Sequence, residues 1–320
     1  MTMSKNRIGV QECALFLRQH DGYLIMTHLR PDGDTLGSAA ALCLLLRRLG
    51  KTAWLMENPD ITPKYTAFVG DLIAPADYTA DTLLAVDLAA ETMFPRGFTG
   101  GNIALCIDHH GSNSFYAERT LVKPEKAACG EILVELAEEL GCGMDKRIAN
   151  LLYIAISTDT GCFLYRNTTA DTHRAAAAVI DAGADYGNLN KLLFRTMSEA
   201  RMKLEGMIYA GMRRYKNGQV TVAVITLDMM QQAGATENDC DDLASLAGRA
   251  EGSRCSVTIR EVAPGRSKVS LRSNEEVNAS DVCARFGGGG HPMAAGCAMN
   301  CSPEEAREKL VAAILEDWKK

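Results

Sequence analysis

Three short apolar runs in the first 108 residues, Tyr23 to Thr27 (YLIMT), 83–87 (LLAVD) and 103–108 (IALCID), each end in or run straight into acidic residues and histidines. The runs are strand-length and almost unbroken in hydrophobicity, which predicts strands buried on both faces. Helical patterns separate them. The clearest is Ala/Leu-rich, ends at Arg47-Arg48-Leu49 and is closed by Gly50. This alternation predicts an α/β fold with a mainly parallel sheet covered on both faces. In an open sheet of that type the strand C-termini share one edge, and ligands bind there. The polar residues that follow the three runs are therefore expected to converge.

Helical spacing recurs at about 126–140, 145–157 and 171–182, and MTMSKNRIGVQECALFLRQHDG reads as an amphipathic N-terminal helix. A polar-mixed segment at about 187–210 is expected to carry the chain between domains. The second half then changes character. It offers strands at about 220–226, 254–260 and 267–273, a helix at about 239–249, a Gly-rich turn at 287–290 and a closing helix after Ser302-Pro303. With 320 residues and roughly 150 per domain, two cores are expected. The boundaries read as a first domain over 1–190, a connecting helical region over 191–212 and a smaller α/β domain over 213–320.

A net charge of −6 argues against a broad basic face for long or duplex nucleic acid, because such binding rests on neutralising many phosphates. A small anionic ligand held by a few arginines and by metal ions remains compatible with it. The eleven cysteines include no C-x-x-C pair, which points to reduced thiols. Cys297 and Cys301 lack the second pair a zinc site needs and read as small buried hydrophobes. No apolar run approaches the ~18 residues of a membrane span, and there is no signal-peptide core. A cytoplasmic protein without membrane attachment is the expectation.

Of six histidines, three fall with aspartates at predicted strand ends. His28-Leu29-Arg30-Pro31-Asp32-Gly33-Asp34 follows the first strand, Asp87 ends the second, Asp108-His109-His110 ends the third, and Asp159 lies in a later ISTDTG segment. Any one aspartate at a strand end is commonly a helix cap or a turn residue. Four carboxylates gathered with imidazoles on one sheet edge would repel one another unless a cation compensated them. Mixed carboxylate and imidazole ligands suit divalent manganese, cobalt, zinc or iron, with magnesium also admissible. Seven candidate ligands and one bridging carboxylate make two ions the natural count.

These segments, H-x-R-P-D-x-D-T-x-G-S, the isolated strand-end Asp, D-H-H and D-T-G, resemble the DHH phosphoesterase superfamily. Gly287-Gly288-Gly289-Gly290-His291, followed by Ala294-Ala295-Gly296, resembles the GGGH signature of its companion DHHA1 domain. The pairing is most similar to members that degrade very short RNA (nanoRNases) and dephosphorylate 3′-phosphoadenosine 5′-phosphate. The resemblance implies a two-metal phosphoesterase with manganese as its usual ion and cobalt or magnesium as substitutes. It implies His28, Asp32 and Asp87 on one metal and Asp34, Asp87, His109 and Asp159 on the other. His110 would face the substrate phosphate, with Asp108 fixing the histidine pair. Asn113 would reach substrate or, by default, form a turn.

The glycines at 287–290 would let backbone amides approach an anion closely, although composition alone fits an ordinary loop. By the same resemblance Gly288, Gly289 and His291 would contact the nucleotide end of a short oligonucleotide or dinucleotide. Arg272 and Arg254, on neighbouring predicted strands, would hold a terminal phosphate. A homodimer is common in enzymes of this type. Two other functions stay open: a cyclic di-AMP or pApA phosphodiesterase using the same chemistry, and a non-catalytic nucleotide sensor.

Overall fold

In the computed structural model, residues 6–240 and 243–318 are described, and the chain divides into two units after Thr196. The first begins with helix α1 (Val10–Gln19), strand β1 (Tyr23–Met26) and helix α2 (Gly33–Arg48). Strand β2 (Ala53–Leu55), helix α3 (Pro63–Val69) and strands β3 (Thr82–Val86), β4 (Ile103–Asp108) and β5 (Thr120–Val122) follow. Helices α4 (Cys129–Glu139), α5 (Lys146–Asp159), α6 (Ala170–Asp181) and α7 (Tyr186–Asn190) complete the series.

The strands form a wholly parallel sheet in the order β2-β1-β3-β4-β5. The chain runs outward from β1 to β2, then crosses back to β3 and continues the other way. That reversal opens a crevice above the C-terminal ends of β1 and β3. Tyr23, Ile25, Leu84, Val86, Leu105 and Ile107 point to the face that carries the helices and form the main core with them. The opposite face, with Met26, Ala85 and Cys106, is closed by the irregular connections after β3 and β4. Phe94, Phe98 and Tyr116 pack edge-to-face there. Both faces are thus buried as expected, but the helices lie on one only. A further requirement appears inside the helical layer. α2 and α5 approach so closely that a side chain at Gly37 would strike the Leu151 carbonyl, so this position admits nothing larger.

The second unit comprises helix α8 (Glu199–Gly211), strands β6 (Arg213–Tyr215) and β7 (Val220–Ile225), helix α9 (Leu227–Ala233) and strands β8 (Cys255–Ala263) and β9 (Arg266–Ser273). Helix α10 (Ala279–Ala284), strands β10 (Gly289–His291) and β11 (Ala294–Met299) and helix α11 (Pro303–Asp317) follow. Its sheet runs β10-β11-β9-β8-β7-β6, with β7 parallel to β8 and every other pairing antiparallel. Val257, Val269, Leu271, Ala295 and Met299 bury one face beneath α10 and α11. On the other face Ala223 and Ile225 of β7 pack under α8 and α9, and the 3-10 turn Leu243–Arg249 covers the neighbouring part of β8.

Three expectations are corrected. The segment at 187–210 is not one connector: α7, a π-turn at Lys191–Arg195 and α8 are separate, and Leu204 and Ile208 of α8 belong to the second unit's core. The helix expected at 239–249 is replaced by 3-10 turns at Glu237–Cys240 and Leu243–Arg249, with 241–242 outside the described residues. The Gly-rich turn is partly extended, because Gly289–His291 pairs with β11. Among the described residues, no helix is long and apolar enough to cross a membrane.

Candidate metal centre

Local structure places each acidic side chain at the crevice. Asp32 caps α2, its Oδ1 accepting from the amides of Asp34 at 3.0 Å and Thr35 at 3.2 Å. The Thr35 hydroxyl donates to the Val86 carbonyl at 3.0 Å, which ties the start of α2 to the end of β3. Asp34 is fully enclosed and accepts from the amides of Cys129 at 2.6 Å and Gly130 at 3.0 Å, and from the Ser38 hydroxyl at 2.9 Å. Those amides are the unpaired donors at the start of α4, where the helix dipole favours a negative charge. Asp87 follows β3 with φ +56°, a left-handed conformation that a side chain rarely adopts, and its amide is held by the Ile107 carbonyl at 2.8 Å.

The histidines are oriented from behind. His28 Nδ1 donates to the Leu29 carbonyl at 2.8 Å and His109 Nδ1 to the Lys126 carbonyl at 3.1 Å. A carbonyl only accepts, so each Nδ1 carries a proton and each Nε2 is the nitrogen left to hold a second proton or, in its place, a metal ion. Both Nε2 atoms meet carboxylates. His28 Nε2 lies 3.7 Å from Asp32 Oδ1 and 3.8 Å from Asp87 Oδ2. His109 Nε2 lies 3.4 Å from Asp87 Oδ1, 3.6 Å from Asp159 Oδ2 and 3.8 Å from Asp34 Oδ2. Candidate ligand atoms of His28, Asp32 and Asp87 fall within 4.8 Å of one another, as do those of Asp34, His109 and Asp159.

Asp87 is 2 % exposed, and among the described residues its Oδ1 takes no hydrogen bond of ordinary geometry. Leaving a buried carboxylate oxygen unpaired is costly, and a cation between Asp87 and the two Nε2 atoms removes that cost. The donor set therefore fits divalent metal ions. The titration directions agree. Burial, reinforced by Asp87 and Asp159, pushes the Asp34 carboxyl up, and burial pushes Asp159 up to about 6. Burial disfavours charge on His109, but Asp87, Asp34 and Asp159 outweigh it and lift the ring to about 10. Without a metal, protons supply the positive charge that the carboxylates demand.

His110 behaves differently. Its Nδ1 is 2.8 Å from Asp108 Oδ1 and 3.6 Å from Asp87 Oδ1, so the proton goes to Asp108 and Nε2 is left for the solvent side. Candidate ligand atoms of Asp87, His109 and His110 also fall within 4.8 Å of one another, but the bond to Asp108 occupies His110 Nδ1. The Asp108 carboxylate raises the His110 pKa. Asn113 donates to Asp108 Oδ2 at 2.6 Å while its own Oδ1 accepts from the Phe115 amide at 2.7 Å. The turn expected at Asn113 is present, and the same side chain anchors Asp108. Sequence reasoning missed the Leu29 and Lys126 carbonyls and the Cys129 and Gly130 amides. Backbone groups leave no residue-type signal.

The second-unit candidates gather less tightly. Arg272, Gly289, Ala294 and Gly296 line a groove of about 580 Å³ on the uncovered half of that sheet, together with Lys268 and Ser270. Arg272 is exposed and forms no ion pair among the described residues. His291 is exposed on the same face of β10 as Gly289. At Gly288 a side chain would strike the Gly296 carbonyl and Cys297, so close packing on β11 requires a glycine there. Arg254 stands one residue before β8 and is paired with Glu276 at 2.5 Å.

Residues 23–156 match the family described as "DHH family, N-terminal domain", and residues 217–320 match "DHHA1 domain". The bifunctional oligoribonuclease and PAP phosphatase NrnA of Thermus thermophilus is 33% identical over 300 residues, covering 92% of this chain and 89% of that protein. The Bacillus subtilis protein of the same name is 27% identical over 286 residues, covering 88% and 90%. Among solved structures, an exopolyphosphatase-related protein from Bacteroides fragilis superposes with a TM-score of 0.84 at 22% identity, covering 96% of each chain. RecJ of Thermus thermophilus in complex with Mn2+ superposes with a TM-score of 0.51 at 17% identity, over 95% of this chain and 54% of that one. The two structural likenesses establish the fold alone.

Proposed function

The chain belongs to the DHH family of phosphoesterases, with a DHHA1 domain after the DHH domain, and from that premise we propose that it hydrolyses short oligoribonucleotides and 3′-phosphoadenosine 5′-phosphate. The observation that carries this reading is the buried Asp87 carboxylate, whose Oδ2 faces His28 and whose Oδ1, without a hydrogen bond among the described residues, faces His109. The names of the NrnA relatives supply the substrate class.

His28, Asp32 and Asp87 would hold one divalent ion, and Asp34, Asp87, His109 and Asp159 the other, with manganese the expected metal. When bound, such ions lower the pKa of water towards neutrality and offset charge on phosphoryl oxygens. The chain's own groups do the rest. His110, fixed through Nδ1 by Asp108, presents Nε2 to a phosphoryl oxygen, and Asn113 keeps Asp108 from turning. Arg272 meets a terminal phosphate in the second unit, beside the exposed residues Gly289 and His291. Arg254 contributes only if it leaves Glu276. The homodimer expected of the family is tested by sedimentation velocity, where a single 34.6 kDa species would remove it.

A product profile with manganese tests the assignment on a panel of pApA, five-nucleotide RNA, cyclic di-AMP and 3′-phosphoadenosine 5′-phosphate. Release of mononucleotides from the RNA, and of phosphate from the bisphosphate, is expected. Cleavage of cyclic di-AMP alone would move the assignment to a cyclic-dinucleotide phosphodiesterase. Binding without turnover on every substrate would leave a nucleotide sensor.

A further inference from the structure

Directly after Asp159 the chain folds into a tight loop that projects two large apolar side chains into solvent. Gly161, Cys162 and Phe163 take φ values of +56°, +57° and +66°, a run that side chains adopt only under constraint. The constraint is a set of bonds onto the end of α5. Thr160 accepts through its carbonyl from Leu164 at 2.9 Å and Tyr165 at 3.0 Å, and through its hydroxyl from the Phe163 amide at 3.1 Å. Asn167 closes the loop by donating to the Asp159 carbonyl at 3.1 Å. Phe163 turns inward and stacks on His173 at 5.2 Å.

Tyr165 turns the other way. Its amide and carbonyl are both bonded, the carbonyl accepting from Thr168 at 3.1 Å, yet its side chain belongs to a residue that is 59% exposed. One face of its ring rests on Gly161, where any side chain would strike the ring. A fixed backbone and a ring seated on glycine give a preformed aromatic surface on the loop that directly follows Asp159, one of the carboxylates of the metal centre. Stability does not explain an aromatic side chain held in solvent by a strained loop. Stacking of a nucleobase does, because every base offers a π-face and an aromatic platform accepts it without regard to sequence.

Resting on the reading of the metal centre as a nucleotide phosphoesterase, we propose that Tyr165 is a specificity-determining residue that stacks one nucleobase of the substrate next to the scissile phosphate. The platform gives binding to any short nucleotide chain and none to a phosphodiester that lacks bases.

Steady-state kinetics on pApA and on an analogue with the same backbone but hydrogen in place of each base separates the outcomes. Tyr165→Ala is expected to raise KM for pApA about tenfold with kcat little changed, and to leave the abasic analogue unaffected. Tyr165→Phe keeps the ring and is expected to behave as wild type. Leu164→Ala, at an equally exposed neighbour, serves as control and is also expected to match wild type. Equal KM values for pApA in wild type and Tyr165→Ala would overturn the proposal, as would an equal loss on both substrates. If the wild-type protein cleaves neither, the phosphoesterase assignment itself fails, which is a different result.

Discussion

Asp87 concentrates the site's chemistry in one residue: strained, buried and positioned between two histidine Nε2 atoms. Asp87→Ala is expected to cut turnover by roughly 10³-fold or more, the scale of losing a main electrostatic group, while far-UV circular dichroism stays unchanged. Near-normal activity in that variant would remove the bridging role. Asn113→Ala frees Asp108 and through it His110, and is expected to cost roughly 10–100-fold in activity, as for other groups that orient catalytic ones. Single-turnover rates at saturating metal measure it. At this scale the sequence was legible wherever chemistry sits in side chains, as at His28, Asp34 and Asp87. It was silent where backbone groups act, as at the Lys126 carbonyl behind His109 and the Gly130 amide on Asp34.

At the scale of elements, the long apolar strands and capped helices were readable because burial on both faces and 3.6-residue spacing leave strong patterns. β2 and β5 were not, since strands as short as Ala53–Leu55 and Thr120–Val122 carry no periodicity. The segment expected as a helix at about 239–249 carries 3-10 turns at Glu237–Cys240 and Leu243–Arg249 instead, short helical pieces that an apolar pattern does not tell from an α-helix. The glycines at 288 and 289 look alike in sequence and differ in space. Gly288→Ala forces a side chain against Gly296 and Cys297 and is expected to destabilise the second unit by about 1–3 kcal/mol. Gly289→Ala meets nothing within 4 Å and is expected to shift stability by less than roughly 0.5 kcal/mol while weakening substrate binding. Urea denaturation and KM for pApA, measured on both variants, test the pair. A stable Gly288→Ala protein would contradict the packing explanation.

For the whole molecule, a net charge of −6 fits a small anionic substrate better than a long polymer. Metal binding couples to folding through the first unit, because its carboxylates repel one another until cations separate them. Calorimetry is expected to show a higher melting temperature with manganese. At about 100 times the dissociation constant the gain is roughly 2.7 kcal/mol per site, and chelation is expected to reverse it. Asp87→Ala is expected to lose most of that shift.

The most direct measurement is anomalous scattering from crystals grown with manganese. Two peaks sharing the Asp87 carboxylate are expected, one beside His28 and Asp32, the other beside Asp34, His109 and Asp159. A manganese-saturated crystal with no peak at Asp87, or with these side chains turned out to solvent, would contradict the account.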